Sequence, residues 1–175
     1  MVECFEELDA AFGVLTETWL TDGEDLQAKL DDLSAGSGIG MVTKNRPANS
    51  MEFSHGGVAI AFRESCCSFK EVPLLTSSEI VAAVAKFPGY SRQVVVVGCY
   101  IPPTYSAAEG AAALDQVTQA VIEVKRRFRS PYVVVAGDFN QWEVDKELVD
   151  FIDLVEAPVG PTRGEDSFSG YSGSV

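Results

Sequence analysis

The sequence predicts an α/β layered fold in which helices cover a sheet. Two strands and the helix between them carry this expectation. Val94-Val95-Val96-Val97-Gly98-Cys99-Tyr100 is too uniformly apolar for a half-exposed strand and is expected to be buried on both faces. After it, Leu114, Val117, Val121, Val124 and Phe128 recur at intervals of three and four, making one apolar stripe along a helix. A second apolar run, expected to be another buried strand, follows at Tyr132 to Ala136. Strand, helix, strand, with both strands continuously apolar, is the pattern of helices laid on a sheet.

The remaining elements follow in chain order. Residues 3–12 are expected to form the end of an amphipathic helix, with Phe5, Leu8 and Phe12 on one side and Gly13 ending it. Val14-Leu15 then opens a short strand. Residues 24–33 suggest a short acidic helix, and Gly36-Ser37-Gly38-Ile39-Gly40 a flexible loop. That loop lacks the GxGxxG spacing of a nucleotide-binding turn, and no strand leads into it. Val58 to Arg63 is expected to be a strand, with further strands near Phe69–Leu74 and Ile80–Phe87. Pro102-Pro103 stops the Val94–Tyr100 strand. Ser106 and Glu109 have the spacing of a capping box, which sets the start of the long helix, and Pro131 follows just after its end. There is no internal repeat and no low-complexity segment, so residues 1–175 read as a single domain.

Composition bounds the function. With 46% apolar and 22% charged residues, the chain has the balance of a soluble globular protein large enough to bury a core. No apolar run approaches the roughly 18 residues a membrane helix needs. The start, Met1 to Glu7, is acidic where a secretory or transit sequence would be basic. An intracellular protein, nuclear or cytoplasmic and without membrane association, is the expectation. Cys4, Cys66, Cys67 and Cys99 lack the paired CxxC spacing of a zinc site, and Cys99, inside an apolar run, reads as a buried free thiol.

The net charge of −13 argues against a nucleic-acid partner, since such partners usually meet basic patches. Its distribution softens the argument. Residues 1–35 hold ten acids and only Lys29 as a base, while the remainder has sixteen acids and twelve bases. Lys125, Arg126, Arg127 and Arg129 close the long helix, where they either complement its dipole and face solvent or meet phosphate. A metal-holding enzyme needs few bases of its own, because the cation supplies positive charge. Charge alone leaves the substrate open.

Reactive groups in open α/β sheets gather beyond the carboxyl ends of strands. Three polar constellations lie there. Thr16-Glu17-Thr18-Trp19-Leu20 follows Val14-Leu15, and a carboxylate in that position is a hard-oxygen donor of the kind Mg²⁺ takes. Gly137-Asp138-Phe139-Asn140 follows the Tyr132–Ala136 run. If the backbone stays extended, Asp138 and Asn140 project to one side and Phe139 to the other. A carboxylate that orients a water beside an amide that steadies charge on a phosphate oxygen suits phosphoryl chemistry. The same residues also suit a capped turn. Tyr100-Ile101-Pro102-Pro103 is the third constellation, in which the phenol either donates to a phosphate or seals the core edge.

Taken in order, Thr16-Glu17-Thr18-Trp19-Leu20, Gly56-Gly57-Val58-Ala59-Ile60, Tyr100-Ile101-Pro102-Pro103, Gly137-Asp138-Phe139-Asn140-Gln141-Trp142 and Pro161-Thr162-Arg163 form a series. That series resembles the endonuclease/exonuclease/phosphatase superfamily. The Glu17–Leu20 and Pro161–Arg163 variants look most like the apurinic-type endonuclease of non-LTR retrotransposon polyproteins. The resemblance covers nearly all of the chain. It implies a four-layered α/β sandwich with two mixed β-sheets flanked by helices, and a Mg²⁺- or Mn²⁺-dependent enzyme that nicks DNA. It also implies roles at matching positions. Glu17 would hold the metal, Tyr100 would position the scissile phosphate, and Asp138 would orient or activate the attacking water. Asn140 would contact the phosphate, with Thr162 near the substrate. A reverse transcriptase region of the same polyprotein is the implied partner.

The sequence departs from the family pattern in ways that bear on activity. The family's opening strand, which carries a metal-assisting Asn, has no counterpart, because the chain starts at the following helix. The family's late Leu-Asp strand and Ser-Asp-His motif have none either: Glu165-Asp166-Ser167-Phe168-Ser169 puts Ser169 where an Asp is expected. The lone His55, before Gly56-Gly57, lies far from the family's His and reads as a loop residue. The resemblance therefore implies an incomplete copy and a poor catalyst.

Overall fold

The computed structural model describes residues 9–19, 38–45 and 56–142. Seven strands and one helix run through them: β1 (Phe12–Thr16), β2 (Ile39–Lys44), β3 (Val58–Arg63), β4 (Ser68–Glu71), β5 (Glu79–Lys86), β6 (Val94–Tyr100), α1 (Ala107–Arg127) and β7 (Tyr132–Asp138). They build two sheets, one of order β1-β3-β2 and one of order β4-β5-β6-β7. The first is antiparallel throughout these strands, and the second is mixed because β6 and β7 run parallel. That parallel step needs a crossover, which α1 supplies.

Side-chain alternation sorts the core into layers. Val81, Ala83 and Ala85 of β5 and Val96 and Tyr100 of β6 face Val42, Val58, Ile60 and Phe62 of the three-stranded sheet. Their odd–even complements, Ile80, Ala82, Val95, Val97 and Cys99, pack instead under Val117, Ala120, Val121 and Val124 of α1. β5 and β6 therefore separate two apolar layers, which is why they carry unbroken apolar runs. Gly98 lets the sheets approach: a Cβ there would lie 3.1 Å from Val14 and 3.2 Å from Ile60. Three layers of the expected sandwich are thus described, namely α1, the mixed sheet and the antiparallel sheet.

The helix forms as its sequence dictates. Ser106 accepts from the Glu109 backbone N–H, and the Glu109 carboxylate accepts from the Ser106 N–H at 2.8 Å, completing the capping box. Leu114, Val117, Val121 and Val124 are buried, and Phe128 packs against the same core from the C-cap. Of the basic cluster, Lys125, Arg126 and Arg127 lie in the last turn, where cations complement the dipole. Arg127 also pairs with Glu123 and donates to the Pro73 carbonyl at 2.7 Å, so a structural partner holds it.

Several expectations need correction. Phe12 and Gly13 belong to β1 rather than to a helix and its stop, because Phe12 and Val14 alternate into the inter-sheet core while Leu15 takes the outer face. The rest of that helix, residues 3–8, lies outside the described residues, as do the acidic segment 24–33 and His55. Ile39 and Gly40 open β2 instead of sitting in a loop. Glycine suits the strand because the Phe69 ring occupies the space: a Cβ on Gly40 would lie 2.3 Å from it. β4 ends at Glu71, short of the expected Leu74, since Pro73 has no N–H to continue the ladder. β7 is half-buried rather than fully buried, being the last described strand of its sheet, and it runs on through Asp138.

Candidate active site

The two sheets bring their polar ends together at one place. β1 lies against β6 and β7, so the residue after β1, Glu17, arrives beside the last residues of the other two strands. Those are Tyr100 and Asp138, which are direct partners in the parallel ladder. The Tyr100 hydroxyl donates to Glu17 Oε1 at 2.9 Å. One phenol thus ties the antiparallel sheet to the mixed one.

Each side chain is held by local structure. Tyr100 is 4% exposed, with its ring in the inter-sheet core and its hydroxyl at the boundary. Burial, then the hydrogen bond to Glu17, then the charges of Glu17, Glu79 and Asp138 push its pKa above the ordinary phenol value. It is a neutral donor throughout the working pH range. Glu17 is exposed and left-handed, with φ 53°, and Trp19 two residues on has φ 56°. Such backbone costs a non-glycine residue about 1–2 kcal/mol. Tertiary bonds offset that strain: the Trp19 N–H donates to the Gly56 carbonyl at 2.9 Å, and the Thr18 N–H to the Gly57 carbonyl at 3.4 Å.

The Asp138 side is fixed by a turn. The expectation of extended backbone from Asp138 to Asn140 fails at Asn140, whose φ is 50°. Asp138 Oδ1 instead accepts from the Asn140 backbone N–H at 2.9 Å, the self-capping that Asp favours in turns. Asn140 Nδ2 donates to the Ile101 carbonyl at 2.9 Å, and the Ile101 N–H donates to the Asp138 carbonyl at 3.0 Å. Phe139 anchors the turn in the apolar clusters beneath, as its position between two polar residues suggests. Gly137 makes the strand fit: a Cβ there would sit 1.8 Å from the Cys99 carbonyl oxygen. Burial, with the Asp138 charge adding to it, raises the pKa of the Cys99 thiol, which is free and fully buried as expected.

Glu17, Tyr100, Asp138 and Asn140 therefore gather at one end of the sheets, whereas Thr162 lies outside the described residues. The sequence reading missed one carboxylate. Glu79 opens β5, pairs with Tyr100 across the ladder and is only 6% exposed. Its side chain accepts the Gly57 backbone N–H. The available signal was a single acid at the head of an apolar strand, a position usually taken by a solvated end. Among the described residues, no three His, Cys, Asp or Glu side chains converge closely enough to enclose a metal by themselves. No helix among them is long and apolar enough to cross a membrane.

The sequence profile of the Endonuclease/Exonuclease/phosphatase family matches residues 3–169. The chain belongs to that family. Endonuclease/Exonuclease/phosphatase members are hydrolases acting on phosphodiester bonds and generally use divalent metals. No curated protein matches the sequence. Solved structures share its fold. The human Nocturnin catalytic domain with bound sulfate superposes with a TM-score of 0.58 at 18% identity, over 86% of this chain and 59% of that one. The endonuclease domain of TRAS1, a telomere-specific non-LTR retrotransposon, gives 0.56 at 14% identity, over 85% of this chain and 63% of that one. A humanized D. rerio TDP2 gives 0.53 at 13% identity, over 85% and 59%. The chain thus spans about three-fifths of the length of these structures.

Proposed function

We propose that this chain is a metal-dependent phosphodiesterase of the retrotransposon-endonuclease type, which nicks DNA with Mg²⁺ or Mn²⁺ and acts beside a reverse transcriptase region of the same polyprotein. The observation that carries the reading is the Tyr100 bridge: a neutral phenol bonded to Glu17 and paired with Asp138 in a family of phosphodiester hydrolases. The donor set is all oxygen, and Mg²⁺ takes one or two carboxylates while keeping its waters, so Glu17 with Asp138 nearby fits such an ion without a closed cage. When bound, the ion would supply the positive charge that phosphoryl transfer requires.

The residues of the chain would divide the remaining work. Tyr100, protonated and rigid, donates to a non-bridging phosphate oxygen or holds Glu17 in place for it. Asp138 accepts a proton from the attacking water, and its orientation is set by the Asn140 N–H. Asn140 keeps a second amide hydrogen beyond the one given to Ile101, and that hydrogen is the donor for charge developing on phosphate. Thr162 would lie near the substrate. Turnover is expected to be slow, because Ser169 stands where the family places an Asp, and one lost acid–base or electrostatic group costs about 10²–10⁴ in rate.

The net charge of −13, which argues against a nucleic-acid partner, leaves open a second reading with the same chemistry on a phosphoinositide- or sphingolipid-type phosphodiester. Nicking of supercoiled plasmid, run beside release from such a lipid diester, separates the two. Metal-dependent open circles from the chain, reduced about 10²-fold or more by Asp138→Ala, are expected. Lipid turnover without nicking would transfer the assignment to the second substrate. Turnover of neither would make the chain a catalytically dead remnant and overturn the enzyme reading.

A further inference from the structure

We propose that Glu79 is a positioning residue, acting on Glu17 through the Gly56-Gly57 turn rather than touching substrate. This rests on the reading of Glu17 as the cation-holding side chain.

The chain of contacts is short. Glu79 is 6% exposed, and its carboxylate accepts the Gly57 N–H. The two glycines carry φ of 119° and 87°, backbone that residues with a Cβ rarely adopt. Space is equally restrictive: a Cβ on Gly56 would lie 2.7 Å from the Glu79 carboxylate, and one on Gly57 would lie 2.4 Å from Thr18 Oγ1. The carbonyls of these glycines receive the backbone N–H groups of Thr18 and Trp19. A carboxylate at the head of β5 therefore sets the turn, and the turn sets the strained loop that presents Glu17. Tyr100, the ladder partner of Glu79, fixes the Glu17 side chain from the same strand pair. Backbone and side chain of Glu17 are thus held from two adjacent strands of one sheet.

A burial role alone does not explain this placement. Ionised carboxylates are seldom buried without a partner that uses their charge or their geometry. Geometry and charge make opposite demands here. If Glu79 works by reach, then Glu79→Gln keeps an oxygen for the Gly57 N–H and loses the charge, while Glu79→Asp keeps the charge and falls one methylene short. If Glu79 instead acts as a charge or a metal donor, the Asp variant is the better substitute.

The experiment uses the whole chain with Mn²⁺ or Mg²⁺ alone as the probe. Two readouts are independent of turnover: hydrogen exchange of the Gly57 amide, and the Trp19 indole resonance with its broadening by added Mn²⁺. The third is the Mg²⁺ concentration for half-maximal nicking. We expect Glu79→Gln to retain Gly57 protection and metal response within about threefold. Glu79→Asp should lose both, with metal affinity down about 10- to 100-fold, the usual cost of removing a group that orients a ligand. Gly56→Ala, which pushes against the same carboxylate, should resemble Glu79→Asp. Should the Asp variant match the wild type, or the Gln variant be the more damaged, the proposal is overturned. A wild type that neither nicks nor responds to Mn²⁺ removes the functional reading instead, while Gly57 exchange and the metal-free Trp19 resonance still decide whether Glu79 sets the loop.

Discussion

Gly137→Ala tests the site through backbone alone, since glycine brings no side chain to the chemistry. The added Cβ would lie 1.8 Å from the Cys99 carbonyl oxygen, 2.8 Å from its carbon and 3.0 Å from its nitrogen. All three are backbone atoms of the central strand β6, so no rotamer can yield. A carbon and an oxygen in contact sit roughly 3.2–3.5 Å apart, so β7 must retreat from β6 by more than about 1 Å. The retreat is centred one residue before Asp138, at the Cys99–Gly137 pair next to Tyr100–Asp138. Overpacking costs about 1–3 kcal/mol and non-glycine backbone in a disfavoured region about 1–3 more. The sum, about 2–6 kcal/mol, lowers Tm by roughly 5–20 °C for a domain of this size. Misplacing a catalytic carboxylate by about 1 Å costs on the order of 10²-fold in rate. A thermal unfolding scan measures the first effect, and plasmid nicking at 20 °C below the variant's Tm measures the second. A variant with Tm within 2 °C of wild type, or one that nicks at the wild-type rate while folded, would refute the geometry assigned to this ladder.

Two further outcomes follow from the same site. Tyr100→Phe keeps the buried ring and removes the hydroxyl, and because Glu17 is exposed, water replaces the lost donor; stability should fall by only about 0.5–1.5 kcal/mol. Nicking should fall about 10²–10³-fold, and a loss below threefold would exclude Tyr100 from the site. Alkaline pH should destabilise the fold, because Cys99 and Tyr100 have folded pKa values raised above their unfolded ones. Stability is then complete below the unfolded thiol value and declines as pH rises past about 9, by up to about 1.4 kcal/mol per pH unit for each group. Denaturant unfolding between pH 7 and 10.5 should show a shallower loss of stability past about pH 9 for Cys99→Ala than for wild type. The buried Cys67 thiol, whose pKa is also raised, accounts for part of what remains, and identical profiles would contradict a buried Cys99 thiol.

How much of this was legible depended on whether the information was local. Val58–Arg63, Val94–Tyr100 and the stripe of α1 were readable because a run of valines or a three-four repeat records its own burial. β2 was not, because Gly40 makes sense only beside the Phe69 ring from another sheet. Phe12 looked helical in company with Phe5 and Leu8, yet its partner is Phe62, with ring centroids 6.0 Å apart on β3. The same division runs through the site. Glu17, Tyr100, Asp138 and Asn140 stood out because each follows or closes an apolar strand. Glu79 did not, because it heads its strand and its burial is set by the Gly57 N–H twenty-two positions earlier.

The position of the site explains why its parts are individually strained and jointly ordered. Glu17, Trp19 and Asn140 all adopt left-handed backbone, and Gly56, Gly57 and Gly137 occupy conformations closed to other residues. Each bond that compensates crosses between strands: Trp19 to Gly56, Tyr100 to Glu17, Gly57 to Glu79, Asn140 to Ile101. Two of them, Tyr100 to Glu17 and Gly57 to Glu79, cannot form before the two sheets have docked, because Glu17 and Gly57 come from one sheet and Tyr100 and Glu79 from the other. Before docking, Glu17 has no Tyr100 to orient it, and the Gly57 turn has no Glu79 to accept its N–H. The geometry that presents Glu17 is therefore a property of the inter-sheet core as much as of its own loop. A cavity made in that core, as by Phe62→Ala beneath the stacked Phe69 ring, should weaken Mn²⁺ response at Glu17 although it touches no polar group of the site.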